Sequence, residues 1–232
     1  MVYLSMDNIA GMIDHTLLRP DAPLGKYTEI CRDAIEYKFA SVCVNSFHVP
    51  LISNLLNAHP EAKVKTCSVI AFPFGATDIH TKSLEIERAI SKGAHELDAV
   101  INISLVKTGE WKRLKDELME IREASDHHIL KLILEVGALT DDEIKRCCDL
   151  AVETNLDFVK TSTGFFKELK PVETARYVKL MKESVNGSRV KVKASGWIRT
   201  LADFNMMVEA GASRVGFSRS VDIIKEWKGD IK

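Results

Sequence analysis

Nowhere does this sequence approach the roughly 18 consecutive apolar residues that a membrane-spanning helix needs, so no membrane partner is expected. It also lacks a glycine-rich phosphate loop and a G-x-G-x-x-G segment, which argues against a nucleotide or dinucleotide cofactor. Proline and glycine are sparse, at 6 and 12 of 232 residues, and never gather into a linker; one domain over residues 1–232 is expected. An excess of either charge is missing too. Lys+Arg 32 against Asp+Glu 33, with the signs interspersed, gives a net charge of -1 and offers nucleic acid no basic surface. The five cysteines are an odd number without C-x-x-C spacing, as in a reducing cytoplasm, and the opening Met1-Val2-Tyr3-Leu4-Ser5-Met6-Asp7 lacks the regions of a signal peptide. His127-His128 has no cysteine or carboxylate at ligand spacing, so neither a metal nor any other cofactor is expected.

What the chain does contain is alternation. Short β-branched runs at Ala40–Asn45, Lys65–Phe72, Glu96–Ile103, Ile129–Val136, Asp157–Thr161, Val190–Ala194 and Arg214–Phe217 read as strands, with an eighth near Ile13–Leu18. Amphipathic helical periods lie between them. Thr140-Asp141-Asp142-Glu143 reads as a capping box, Pro171 suits a first helical position, and Gly93, Gly187 and Gly211 follow helices as left-handed caps. Strand–helix alternation implies parallel pairing through right-handed crossovers. Eight units fit a (β/α)₈ TIM barrel; a doubly wound open sheet is the structural alternative.

Parallel strands covered by helices normally read as continuous Val, Ile and Leu. Here several carry charges, and the charges have parity. Lys131 and Glu135 share one face of their strand, opposite Leu130, Leu132, Leu134 and Val136; Lys191 and Lys193 share a face opposite valines; Lys160 ends a strand; Asp98 interrupts an apolar one. An isolated buried charge costs several kcal/mol unless it is paired or functional, so four strands offering ionisable groups to one interior predict a polar centre. Within it, Lys160 and Lys193 lie nearest the C-terminal strand ends, where barrels do chemistry. A lysine amine of ordinary pKa is neutral in only about one molecule in 2,500 at pH 7. A second ammonium beside it disfavours the charged form and leaves a nucleophile, and an acid such as Asp98 then moves protons through carbinolamine and enamine steps. The chemistry alone does not decide which lysine attacks. Lys191 adds another inward cation, with Glu135 as its expected partner.

The segments Asp14-His15-Thr16-Leu17-Leu18, Ser41-Val42-Cys43-Val44-Asn45, Glu96-Leu97-Asp98-Ala99-Val100-Ile101-Asn102, Asp157-Phe158-Val159-Lys160-Thr161-Ser162-Thr163-Gly164-Phe165 and Val192-Lys193-Ala194-Ser195-Gly196 resemble deoxyribose-phosphate aldolase. They span nearly the whole chain in the family's order. The resemblance implies a metal-free class I aldolase in a (β/α)₈ barrel, with a phosphorylated sugar as its small-molecule partner. It implies reversible cleavage of 2-deoxy-D-ribose 5-phosphate to acetaldehyde and D-glyceraldehyde 3-phosphate. By match to the family's motif, Lys160 is the Schiff-base lysine, Lys193 its activating neighbour and Asp98 the proton relay, with Lys131 assisting. Cys43 matches a position lining the aldehyde site, and Asp14 and Thr16 match supporting positions.

Thr163, Gly164, Gly196, Trp197, Gly216 and Ser218 fall where the family binds its substrate, the phosphate resting on backbone N–H groups after the last two strands. Two departures stand out. Trp197 replaces a usual glycine, which matters if the turn needs positive φ, and Gly216-Phe217-Ser218-Arg219 replaces a run of small residues. They keep alternatives open: another Schiff-base barrel lyase or transaldolase-like enzyme with altered phosphate recognition, or a phosphate-binding barrel without catalysis. The resemblance also implies a homo-oligomer, with a dimer expected.

Overall fold

The computed structural model describes residues 6–230; most of the segment read for a signal peptide, residues 1–5, lies outside them. Eight parallel strands run β1 Ile13–Leu17, β2 Ser41–Asn45, β3 Lys65–Ile70, β4 Glu96–Val100, β5 Ile129–Ile133, β6 Phe158–Lys160, β7 Lys191–Ser195 and β8 Arg214–Phe217. Each pairs with the next, and β8 returns to β1 through Ile13–Val215 and His15–Phe217, which closes the barrel and rules out the open sheet. Helices α1 Met6–Ala10, α2 Leu24–Tyr37, α3 Val49–Asn57, α4 Ile79–Ser91, α5 Ile103–Lys107, α6 Trp111–Ala124, α7 Asp141–Glu153, α8 Pro171–Ser184, α9 Leu201–Glu209 and α10 Ser220–Lys228 complete the chain. The main apolar core lies between strands and helices. Leu130, Leu132, Leu134 and Val136 all face it, which turns Lys131 inward by the period of two.

Local signals account for the helix ends. Thr140 and Glu143 form the reciprocal capping box of α7, and Pro171 opens α8. The expected strands overrun at their C-terminal ends because apolar residues continue into the loops. Ala71 (φ 51) and Glu135 (φ 55) turn left-handed just beyond the ends of β3 at Ile70 and β5 at Ile133, and Asn102 caps α5 instead of extending β4.

His15 points from β1 into the helix layer. Its Nδ1 lies 2.9 Å from Ser220 Oγ and its ring packs edge-on to Phe39, while Nε2 has no hydrogen-bond partner. Burial holds its pKa down to about 4, against the opposing pull of the Glu29 carboxylate. The unfolded chain therefore takes up the proton first as pH falls below about 6.5, and the stability is lost as pH drops toward 4. Between pH 7 and 4.5 this one residue should cost about 2–3 kcal/mol. Urea unfolding of wild type and His15→Gln at both pH values measures it; an equal pH dependence in the two proteins would refute the assignment.

Candidate active site

The barrel interior holds an ionic cluster built by strand register. Asp98 pairs with Lys131 across β4–β5, Lys160 with Lys193 across β6–β7, and Lys193 with Arg214 across β7–β8. All three lysines converge on one carboxylate. Asp98 Oδ2 accepts from Lys160 Nζ at 2.8 Å and from Lys193 Nζ at 2.6 Å, and Oδ1 accepts from Lys131 Nζ at 2.8 Å and the Cys67 thiol at 3.2 Å. Lys193 also meets Asp14 at 2.5 Å and Lys131 meets Glu96 at 2.7 Å, while Arg214 bridges Asp14 and Glu96. Three carboxylates thus face four basic side chains.

Burial alone would push Asp98 up, but the Lys131, Lys160 and Lys193 ammoniums outweigh it and hold the carboxyl well below the ordinary range. Against the same desolvation, Asp14 and Asp98 raise Lys193, and Asp98, the Cys67 sulfur and Glu96 raise Lys131. Both lysines are locked cations. Lys160 differs in position, because it lines a cavity of about 620 Å³ above the cluster whereas Lys131 and Lys193 are fully buried beneath it.

The cavity opens at the C-terminal ends of β1, β6, β7 and β8. Thr163 and Gly164 from the β6 loop, Gly196 and Trp197 after β7, and Gly216 and Ser218 around the end of β8 all line it. Gly216 has a further reason to be glycine: a Cβ there would press on Lys193 Cε at 3.0 Å. Trp197 takes φ 59, so the turn does require the left-handed conformation, at a cost of about 1 kcal/mol or more for a non-glycine residue. Its Nε1 is buried without a partner, and the Arg199 guanidinium stacks 4.8 Å from its ring. Arg19 and Arg219 complete a basic rim, each paired with a neighbouring aspartate.

Other expectations move. Cys43 is fully buried and does not line the cavity; it packs with Leu18, Cys67 and Val69 beside the cluster, and the neighbouring Cys67 side chain lowers its thiol pKa. Lys191 shares its face with Lys193 but lies two residues, about 6–7 Å, nearer the strand's N-terminal end. There it is solvent-exposed, 5.9 Å from the Phe158 ring. Glu135 is not its partner and bonds Thr163 instead. After β3, Phe72 packs on Phe165 at the cavity wall, and Phe74 is exposed.

The cluster members not foreseen are Glu96, Arg214 and Cys67. Parity contained the signal, since Glu96 shares a face with Asp98, and Arg214 with Gly216. Among the described residues, Cys43, Cys67 and Asp98 bring three ligand atoms within 4.8 Å of one another. A metal there would have to displace Lys131 from Oδ1 and add positive charge to a cluster already rich in cations.

A family model described as DeoC/LacD family aldolase matches residues 5–225. The deoxyribose-phosphate aldolase of Caldanaerobacter subterraneus subsp. tengcongensis is 45% identical, covering 97% of this chain and 95% of its own. That of Staphylococcus carnosus is 43% identical over 95% and 97%. The deoxyribose phosphate aldolase of Aeropyrum pernix, tetrameric in its solved structure, superposes with a TM-score of 0.87 at 31% identity, covering 98% of this chain and 94% of that one. With an enclosed lysine on the floor of a closed barrel and family identity along almost its whole length, the chain belongs to the DeoC/LacD aldolase family, a family of lyases, on its deoxyribose-phosphate aldolase branch.

Proposed function

We propose that this aldolase cleaves 2-deoxy-D-ribose 5-phosphate reversibly to acetaldehyde and D-glyceraldehyde 3-phosphate through a Schiff base on Lys160. The observation that carries the reading is that Lys160 and Lys193 share one oxygen of Asp98, and of the cluster's lysines Lys160 alone reaches the cavity. That position supports Lys160 as the nucleophile where the chemistry of two lysines left the choice open. Lys193, fixed as a cation between Asp14 and Asp98, disfavours a second ammonium beside it.

The amine attacks the open-chain aldehyde and water leaves, forming a protonated imine. The C2–C3 bond then breaks with its pair passing to C2, the triose phosphate departs, and the enamine is protonated and hydrolysed to acetaldehyde. Asp98 orients the amine and, with Lys193 and assisted by Lys131, relays protons in the carbinolamine and enamine steps. The phosphate fits the N–H groups after β7 and β8 and the N-terminus of α10, with Arg219 adding charge. The working form is read as a homo-oligomer, supported by the Aeropyrum pernix tetramer, with a dimer expected.

Borohydride added with acetaldehyde should trap one adduct, located at Lys160 by peptide mass spectrometry. An adduct at Lys193, or none, overturns the mechanism. Cleavage of deoxyribose 5-phosphate should be faster than that of unphosphorylated deoxyribose; equal efficiency counts against the phosphate site.

A further inference from the structure

Two buried carboxylates feel the charge of Lys160, and the mechanism above uses only one. The other is Glu135, two residues beyond the end of β5 and held in a left-handed conformation that a non-glycine residue adopts only at a cost. The residue is 2% exposed and makes no ion pair among the described residues. One oxygen, Oε2, accepts both from the Thr163 backbone N–H at 3.1 Å and from the Thr163 hydroxyl. That hydroxyl in turn accepts from the Phe165 N–H at 3.1 Å. The Thr163 proton is therefore committed to Glu135, and toward a ligand in the cavity it lines Thr163 offers a lone pair, the complement of a substrate hydroxyl.

The retro-aldol step needs an acceptor for the proton on the hydroxyl at C3. Asp98 does not line the cavity, and its two oxygens already accept from Lys131, Lys160 and Lys193. Burial instead raises Glu135, against the hydrogen bonds from Thr163.

We propose that Glu135 takes up the C3 hydroxyl proton through Thr163, an inference that rests on the Schiff-base reading. The C3 O–H gives its proton to Thr163 Oγ1 as Thr163 passes its own to Glu135 Oε2. A C3=O bond forms, the C2–C3 bond breaks, and its electron pair moves through C2 to neutralise the iminium on Lys160 as an enamine. The proton returns through Thr163 to the water that replaces the departing aldehyde, as that water gives one of its own protons to C2 of the enamine. Glu135 acts through Thr163 and is a positioning residue in that sense.

Two half-reactions separate this role from a structural one. Exchange of the acetaldehyde methyl protons with D₂O needs the imine and enamine but no C3 hydroxyl, whereas cleavage of deoxyribose 5-phosphate needs both. Glu135→Gln should lower kcat for cleavage about 100-fold or more, with KM nearly unchanged. The ratio of cleavage to exchange should fall by the same factor. Thr163→Val should show the same fall in ratio, and the double variant no further fall, since both remove one relay. If Glu135→Gln does not fold, Thr163→Val supplies the test. Cleavage and exchange falling together, or cleavage surviving either substitution, would overturn the proposal. A wild-type protein unable to exchange deuterium would instead sink the Schiff-base reading, and this inference with it.

Discussion

Lys160→Met should lower aldol cleavage by on the order of 10⁴-fold or more and abolish borohydride trapping, while the protein unfolds at nearly the wild-type urea concentration. The activity loss follows from removing the one cluster amine that borders the cavity. The unchanged stability follows from the pairing. Removing one partner of a buried ion pair normally costs about 3–5 kcal/mol because an uncompensated charge remains. Here Asp98 still holds Lys131 at 2.8 Å and Lys193 at 2.6 Å, so the carboxylate is not orphaned. Three acids then face three basic groups, and methionine fills the stem's volume with a flexible apolar chain. Lys193→Met is the contrasting variant, since it leaves Asp14 with Arg214 alone. Cleavage within tenfold of wild type in Lys160→Met, or a trapped adduct on another lysine, would defeat the assignment.

Much of this was readable before any coordinates because two signals reinforced each other. Alternation of strands and helices specified parallel pairing, and the charges on one parity of β4, β5 and β7 marked the inward face. Glu96 and Arg214 escaped because each is the first residue of its strand, where a charge normally reaches solvent. In this barrel the long Arg214 side chain instead crosses inward to Asp14 and Glu96. Lys191 is the opposite case: equally charged and of the right parity, it lies one pleat too low and meets water. Parity gives the face, and depth along the strand must come from register. The sign of φ at Trp197 and Glu135 was beyond composition, since neither residue type announces a left-handed turn.

Asp98→Asn tests the cluster as a single electrostatic object. Asparagine keeps the shape but removes the charge, leaving Asp14 and Glu96 opposite Lys131, Lys160, Lys193 and Arg214. Lys193 keeps Asp14 and Lys131 keeps Glu96, whereas Lys160 loses the one carboxylate it bonds. Breaking a buried pair in this way should destabilise the protein by about 3–5 kcal/mol. Cleavage should fall by on the order of 10²–10⁴-fold, as the amine loses its orienting acceptor and the relay its base. A second substitution distinguishes charge from shape. In Asp98→Asn/Lys160→Met the excess of basic over acidic groups returns to its wild-type value, so the double variant should regain part of the lost stability although it is catalytically dead. Non-additivity of that sign, measured by urea unfolding at pH 7, is what shared electrostatics predicts for groups in contact. Additive losses would mean that Asp98 stabilises the barrel by packing alone.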